Sequence, residues 1–155
     1  MCYAETEYHR WEGSRLIRKP HASELPEIAE IWLAANLDAH SFIAPACWKG
    51  HFAGLVPQLE QAELLVYEDA GGLQGFMGLD GDLIAGLFVR REARGRGIGR
   101  ALMDEAKGRR ERLRLHVYRK NAGALRFYRR EGFSVLEEQT DPGTGEAESV
   151  MVWHV

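Results

Sequence analysis

Between residues 63 and 89 three apolar runs, ELLVYE at 63–68, LQGFMGL at 73–79 and DLIAGLFV at 82–89, are separated only by Gly71-Gly72 and Asp80-Gly81. Both separators supply the positive φ that tight hairpin turns need, so the segment reads as a three-stranded antiparallel meander. A sheet begun in this way must be covered, and the flanking sequence supplies the cover. Leu25, Ile28, Ile31, Trp32 and Ala35 recur at helical spacing behind Ser23 as expected cap, with Pro26 tolerated in the first turn.

A short strand at 14–19 precedes that helix, and a loop with His40, Phe42 and Pro45 leads from it to a shorter helix at 48–59. After the meander the pattern turns to helix at 99–110, strand at 112–118 and helix at 122–131, then to two strands around Asp141-Pro142-Gly143. The order is β-α-α-β-β-β-α-β-α-β-β, an α/β (α+β) chain with a mixed sheet covered by helices. No repeat or linker divides it. A polar arm at 1–13 precedes one expected domain at 14–155.

The 155 residues suffice for one buried core without metal or disulfide. Cys2 and Cys47 are the only cysteines, and Cys2 stands at the terminus, so a structural bridge is not expected and a reducing, cytoplasmic setting fits. The opening segment lacks the apolar core of a signal peptide, and no apolar run reaches membrane-spanning length. His9, His21, His51 and His154 show no ligand spacing, so no metal is expected. The formal net charge of -3 conceals a division. Residues 1–89 carry 5 basic and 13 acidic side chains, whereas residues 90–130 carry 15 basic against 4 acidic. The second stretch expects an anionic partner, and the first a cationic one or plain solvent.

Within the basic stretch, Arg94-Gly95-Arg96-Gly97-Ile98-Gly99-Arg100 joins the third meander strand to a helix. Glycines let the backbone approach a ligand, and free N–H groups at a helix start favour phosphate. A Walker loop is excluded because no Gly-Lys-Ser/Thr follows; a dinucleotide fingerprint fails because its third glycine would fall at Arg100. Downstream, Asn121 can cap a helix on which Ala124, Phe127, Tyr128 and Glu131 share a face, ended by Gly132.

Arg94-x-x-Gly97-x-Gly99 after a strand, followed by Asn121-x-x-Ala124-x-x-x-Tyr128-x-x-x-Gly132-Phe133, resembles the GNAT superfamily of acyl-CoA-dependent N-acetyltransferases from about residue 14 to 155. The resemblance implies a mixed sheet of about seven strands flanked by about four helices, with acetyl-CoA as cosubstrate. It places pantetheine beside Leu87, Phe88 and Val89, pyrophosphate on the amides of Gly95, Arg96, Gly97, Ile98, Gly99 and Arg100 beside Arg94, and Asn121 against pantetheine. Tyr128 takes the place of the tyrosine that protonates the departing thiolate. The His40-Ser41-Phe42-Ile43 loop, Trp48 and residues 117–121 look like a small bacterial branch of amine or protein-lysine acetyltransferases.

Transfer in that superfamily is usually direct, so Cys47 is expected to be an inert thiol. His116 falls where several members carry a glutamate proposed as general base, and imidazole exchanges protons near neutral pH. It is a candidate base or a shaper of the cleft. His40, Phe42 and Trp48 are expected to border the acceptor, by stacking or cation–π contact with an amine, or to pack the loop.

The acceptor expected is a primary amine on a small molecule, a peptide N-terminus or a protein lysine, with the protein a monomer or homodimer. Neither membrane nor nucleic acid is an expected partner, because the 109–114 run (RRERLR) lacks interleaved aromatics. A non-catalytic acyl-CoA sensor of the same fold would differ in tolerating Tyr128→Phe.

Overall fold

The meander forms where the turn chemistry puts it, as β2 (Glu63–Asp69), β3 (Gly72–Asp80) and β4 (Leu83–Val89). Gly72 and Gly81 carry the positive φ that the two turns require. The computed structural model describes residues 15–155, so the expected arm at 1–13, Cys2, His9 and Ser14 lie outside the described residues. Around the meander stand β1 (Leu16–Arg18), α1 (Leu25–Ala39), α2 (Pro45–Phe52), α3 (Leu55–Gln61), α4 (Ile98–Arg109), β5 (Arg112–Tyr118), α5 (Ala122–Arg130), β6 (Ser134–Thr140) and β7 (Ala147–His154). The seven strands form one mixed sheet in the order β1-β2-β3-β4-β5-β7-β6.

Both faces of that sheet are covered. Along β2 the alternation sends Leu64 and Val66 to a core with Ile28, Ile31 and Leu59 of α1 and α3, and Leu65 and Tyr67 to a core with Leu102, Met103 and Ala106 of α4. Leu113, Leu115 and Val117 of β5 join the α4 core, which leaves Arg114, His116 and Tyr118 on the opposite face. Burial on both faces explains why the central strands read as continuous apolar runs.

Three expectations in the first 60 residues need correction. Ser23 does not cap α1; it lies inside a 3-10 turn, Ala22–Glu24, that leads into the helix, and the Glu24 carboxylate closes that turn by accepting from the His21 N–H at 2.7 Å. Arg18 clamps that carboxylate at 2.8 Å and holds it down to about 2. The single helix expected at 48–59 is two, because Gly54 interrupts it and Pro45 starts α2 three residues earlier. The described residues therefore hold five α-helices around the seven-stranded sheet. The strand expected at 14–19 is shorter, Leu16–Arg18.

One junction differs from all the others. Among the described residues, β4 and β5, linked through α4, are the only parallel neighbours, and they pair only at Leu83↔Arg114 and Ile84↔Leu115. Beyond those two pairs the strands part. β5 stays paired to β7 as far as Tyr118↔Glu148, so the opening lies between β4 and β5 alone.

Candidate active site

The parting of β4 from β5 opens a cleft of about 350 Å³. Arg90 N–H donates to the Gln74 carbonyl at 2.8 Å, which fixes the alternation of the β3–β4 ladder. Phe88 then turns its backbone groups toward β3, while Leu87 and Val89 turn theirs toward the gap that β5 has left. A row of free backbone donors and acceptors faces the cleft.

At the far end of β4 the chain enters the glycine loop. Gly95 (φ 77°) and Gly97 (φ 80°) adopt the left-handed conformation, and Gly97 caps α4. The first intrahelical bond runs from Ala101 N–H to the Gly97 carbonyl at 2.9 Å, so the N–H groups of Ile98, Gly99 and Arg100 point out of the helix start unpaired. They face a groove of about 520 Å³ that Arg94, Arg100, Phe127 and Arg130 also line. Both the backbone and the charge there suit a pyrophosphate.

Ion pairs sharpen the charge division. Of the 15 basic side chains between residues 90 and 130, ten face a carboxylate, several of them from the acidic first half: Arg90 with Glu27, Arg91 and Arg94 with Asp38, Arg110 with Glu63, Arg112 and Arg114 with Asp82. Arg96, Arg100, Arg126, Arg129 and Arg130 have no acidic partner among the described residues, and all sit in the glycine loop or on α4 and α5 beside it. The unbalanced positive charge is therefore concentrated near the phosphate groove. Arg94 is engaged elsewhere, because Asp38 holds its guanidinium at 2.5 Å and is itself pulled below the usual carboxylate range by that contact.

Tyr128 enters the cleft from α5. Asn121 caps the helix by accepting from Ala124 N–H at 3.2 Å, and Gly132 (φ 94°) lets Phe133 N–H reach back to the Tyr128 carbonyl at 3.0 Å. The Tyr128 ring is wedged between Phe127 and Phe133, at centroid distances of 5.3 and 5.9 Å. Burial pushes its hydroxyl up to about 12, so the phenol stays protonated through the neutral range.

Across the cleft, His40 bridges two amides. Asn36 donates through Nδ2 to the Trp32 carbonyl at 2.9 Å, which turns its Oδ1 to His40 Nδ1 at 3.0 Å. His40 Nδ1 must then carry the proton, and Nε2 accepts from Asn121 Nδ2 at 3.1 Å. Neutral imidazole satisfies every bond, and burial holds its pKa below the ordinary value. A second proton on Nε2 would confront the Asn121 amide donor. The sign of the linkage follows: a histidine depressed in the fold contributes stability above its unfolded pKa of about 6.5 and loses it as pH falls through the lower folded value. Thermal unfolding between pH 7.5 and 5 should show a steeper loss of Tm for the wild-type chain than for His40→Gln, which carries no titrating proton; parallel curves would contradict the bridge.

His116 lines the same cleft, with Nδ1 3.6 Å from Glu148 Oε1 on β7. Glu148 is buried to all but 10% of its side chain and accepts from Gln139 Nε2 at 2.7 Å. An imidazole in the cleft thus stands beside a nearly buried carboxylate.

The structure brings Tyr128, His116, Asn121, Leu87, Phe88, Val89, Arg94, His40 and Trp48 to one cleft. Gly95, Gly97, Ile98, Gly99 and Arg100 line the adjoining groove, and Arg96 stands outside it beside Arg100. Phe42 does not line the cleft: its ring packs on His40 and Tyr118 at 5.6 Å each, beneath Lys120 Nζ. Sequence reasoning missed Asn36, Glu148 and Tyr118, whose hydroxyl donates to Asp141 at 2.6 Å and ties the β6–β7 turn to the cleft. Cys47 is half-buried and free, outside the cleft lining. Among the described residues no cluster of three or more His, Cys, Asp or Glu is placed to hold a metal, and no helix is long and apolar enough to cross a membrane.

Known proteins share this fold. A family model for the acetyltransferase (GNAT) domain matches residues 60–135. The chain is 35% identical over 146 residues to peptidyl-lysine N-acetyltransferase YiaC of Escherichia coli (strain K12), covering 90% of this chain and 97% of the relative. The solution structure of apo-form YjaB from Escherichia coli superposes with a TM-score of 0.78 at 28% identity, covering 90% of this chain and 97% of that one. An N-acetyltransferase, PaiA of Thermoplasma acidophilum, crystallised with coenzyme A, shares the fold at a TM-score of 0.74 and 21% identity, over 92% of this chain and 99% of its own.

Proposed function

The chain belongs to the GNAT acetyltransferase family and is an acyltransferase, and on that premise we propose that it uses acetyl-CoA to acetylate a primary amine, foremost a peptidyl lysine, by direct attack in a ternary complex. The observation that carries this reading is the cleft itself, where the free edge of β4, Tyr128 and the His116–Glu148 pair converge. The curated relatives named peptidyl-lysine N-acetyltransferases support the choice of acceptor.

Acetyl-CoA supplies a thioester-activated acetyl group. The unpaired amides of residues 98–100 and the free arginines hold its pyrophosphate end, and the spare Nδ2 proton of Asn121 is available to the pantetheine. The backbone N–H of Leu87 donates to the acyl carbonyl as negative charge grows there, and that of Val89 pairs with the pantetheine. Tyr128, kept protonated by burial, donates to the leaving sulfur. On the acceptor side, Glu148 draws the cationic amine and His116 takes the proton that the amine must lose. His40 acts through Asn121, as a positioning residue.

His116→Ala should lower kcat by about 100-fold while the KM for acetyl-CoA stays within about threefold. An undiminished rate across pH would remove His116 from this role. Initial rates with both substrates varied should give intersecting lines, and Cys47→Ser should retain them; parallel lines would indicate an acetylated enzyme instead.

A further inference from the structure

A second cavity, of about 430 Å³, adjoins the inner end of the cleft and shares Trp32, Ala85, Gly86 and Phe88 with it. Leu59 of α3, Leu64 of β2 and Phe76 of β3 give it an apolar wall, and Gln58, Gln61, Glu63 and Asp80 also line it. Its floor is made by Gly78 and Gly86, which face each other across the β3–β4 ladder. Neither adopts the left-handed conformation, so no turn explains them. Glycine at 86 lets its neighbour fold back over it: a Cβ there would stand 2.3 Å from the Phe88 ring as it lies in this structure. That ring lies across the strand and against Phe76, 5.2 Å between centroids, at the boundary of the two cavities. Gly78 has no such constraint: a Cβ would meet Leu64 and Ala85 at ordinary distances of 3.6 and 3.8 Å. Its missing side chain leaves the space open.

Direction along β4 identifies what can fill that space. The phosphate groove lies past the C-terminal end of β4, and the free backbone groups of Val89 and Leu87 come next along the cleft. A donor extended along this edge therefore carries its acyl carbons toward Gly86 and Ala85, the residues shared with the second cavity. We infer that this cavity receives the hydrocarbon tail of straight-chain acyl-CoA donors longer than acetyl, with the Phe88 ring as the movable partition. The inference rests on the donor site proposed above and extends its donor range.

Equilibrium binding tests it without turnover. Calorimetry on the full chain should give butyryl-CoA a Kd about tenfold lower than acetyl-CoA, because two further methylenes leave water. Gly78→Val places methyl groups in the cavity and should abolish that difference, with the acetyl-CoA Kd of the same variant reporting that the donor site is intact. Rates should follow: the butyryl-to-acetyl ratio of kcat/KM should fall at least about tenfold in Gly78→Val and rise in Phe88→Ala. Equal affinities for the two donors in the wild-type chain, or a butyryl advantage that survives Gly78→Val, would overturn the inference. So would a raised acceptor KM in Gly78→Val with the butyryl advantage intact, which would assign the cavity to the acceptor. A wild-type chain that binds butyryl-CoA tightly yet releases no thiol from acetyl-CoA would defeat the preceding functional reading and leave the cavity assignment standing.

Discussion

Tyr128→Phe should lower kcat by about 100-fold or more, with little change in the KM for acetyl-CoA. The substitution is clean because the ring is held by Phe127 and Phe133, and the helix that carries it is closed at both ends by Asn121 and Gly132. Phenylalanine keeps that packing and removes only the hydroxyl. Burial is the sole influence that moves the Tyr128 phenol, so no carboxylate or cation is left without its partner. The departing thiolate would sit within the same apolar walls, where desolvation raises its proton affinity as well. A variant with undiminished kcat would take the proton-donor role away from Tyr128. The pH–rate profile offers a second check: with the phenol at about 12, no alkaline loss attributable to Tyr128 should occur below about pH 10.

Gly97→Asp should weaken CoA binding by at least about 100-fold, since like charges brought together in a site cost several kcal/mol. Gly97 has φ 80° at the N-cap of α4, a conformation in which most side chains are strained. Aspartate is among the few residues that tolerate it and is also a favoured N-cap, so the helix should persist while the sign of the charge at its start is reversed. Gly97→Asn provides the neutral control. It occupies the same conformation with a side chain of the same shape, and it should lose far less affinity. If both variants bound CoA equally, charge at the helix start would not be what holds the ligand. Unchanged melting temperatures without ligand would show that neither result comes from unfolding.

Much of the fold could be read from local chemistry. Gly71-Gly72 and Asp80-Gly81 mark the two hairpin turns, and the Asn121 to Gly132 spacing marks both ends of α5. Gly54 is a visible breaker inside the 48–59 segment, and Pro45 a visible helix start. The site was legible where one segment builds it, as in the glycine loop and α5. Where distant segments meet, it was not. The parting of β4 from β5 is a tertiary event with no local signature. Glu148 lies between Ala147 and Ser149 on a strand read only for its turn, and becomes notable once β7 pairs with β5. Asn36 did leave a trace, four residues after Trp32 and four before His40, a spacing that stacks all three on one helical face. Charge counted along the chain also misled in one respect. The acidic first half, read as a possible lure for a cationic acceptor, supplies Glu27, Asp38, Glu63 and Asp82 as partners for arginines of the basic segment. The carboxylate left facing the cleft is Glu148, from the last strand.

The most direct measurement of the functional reading is thiol release from acetyl-CoA by the full chain, across lysyl peptides, free peptide N-termini and small amines, with the acetylated product identified by mass spectrometry. Release above background that is matched one for one by acetylated amine, greatest with lysyl peptides and suppressed in Tyr128→Phe, is the predicted result. No release above background with any amine, from a folded protein that acetyl-CoA fails to stabilise, would contradict it.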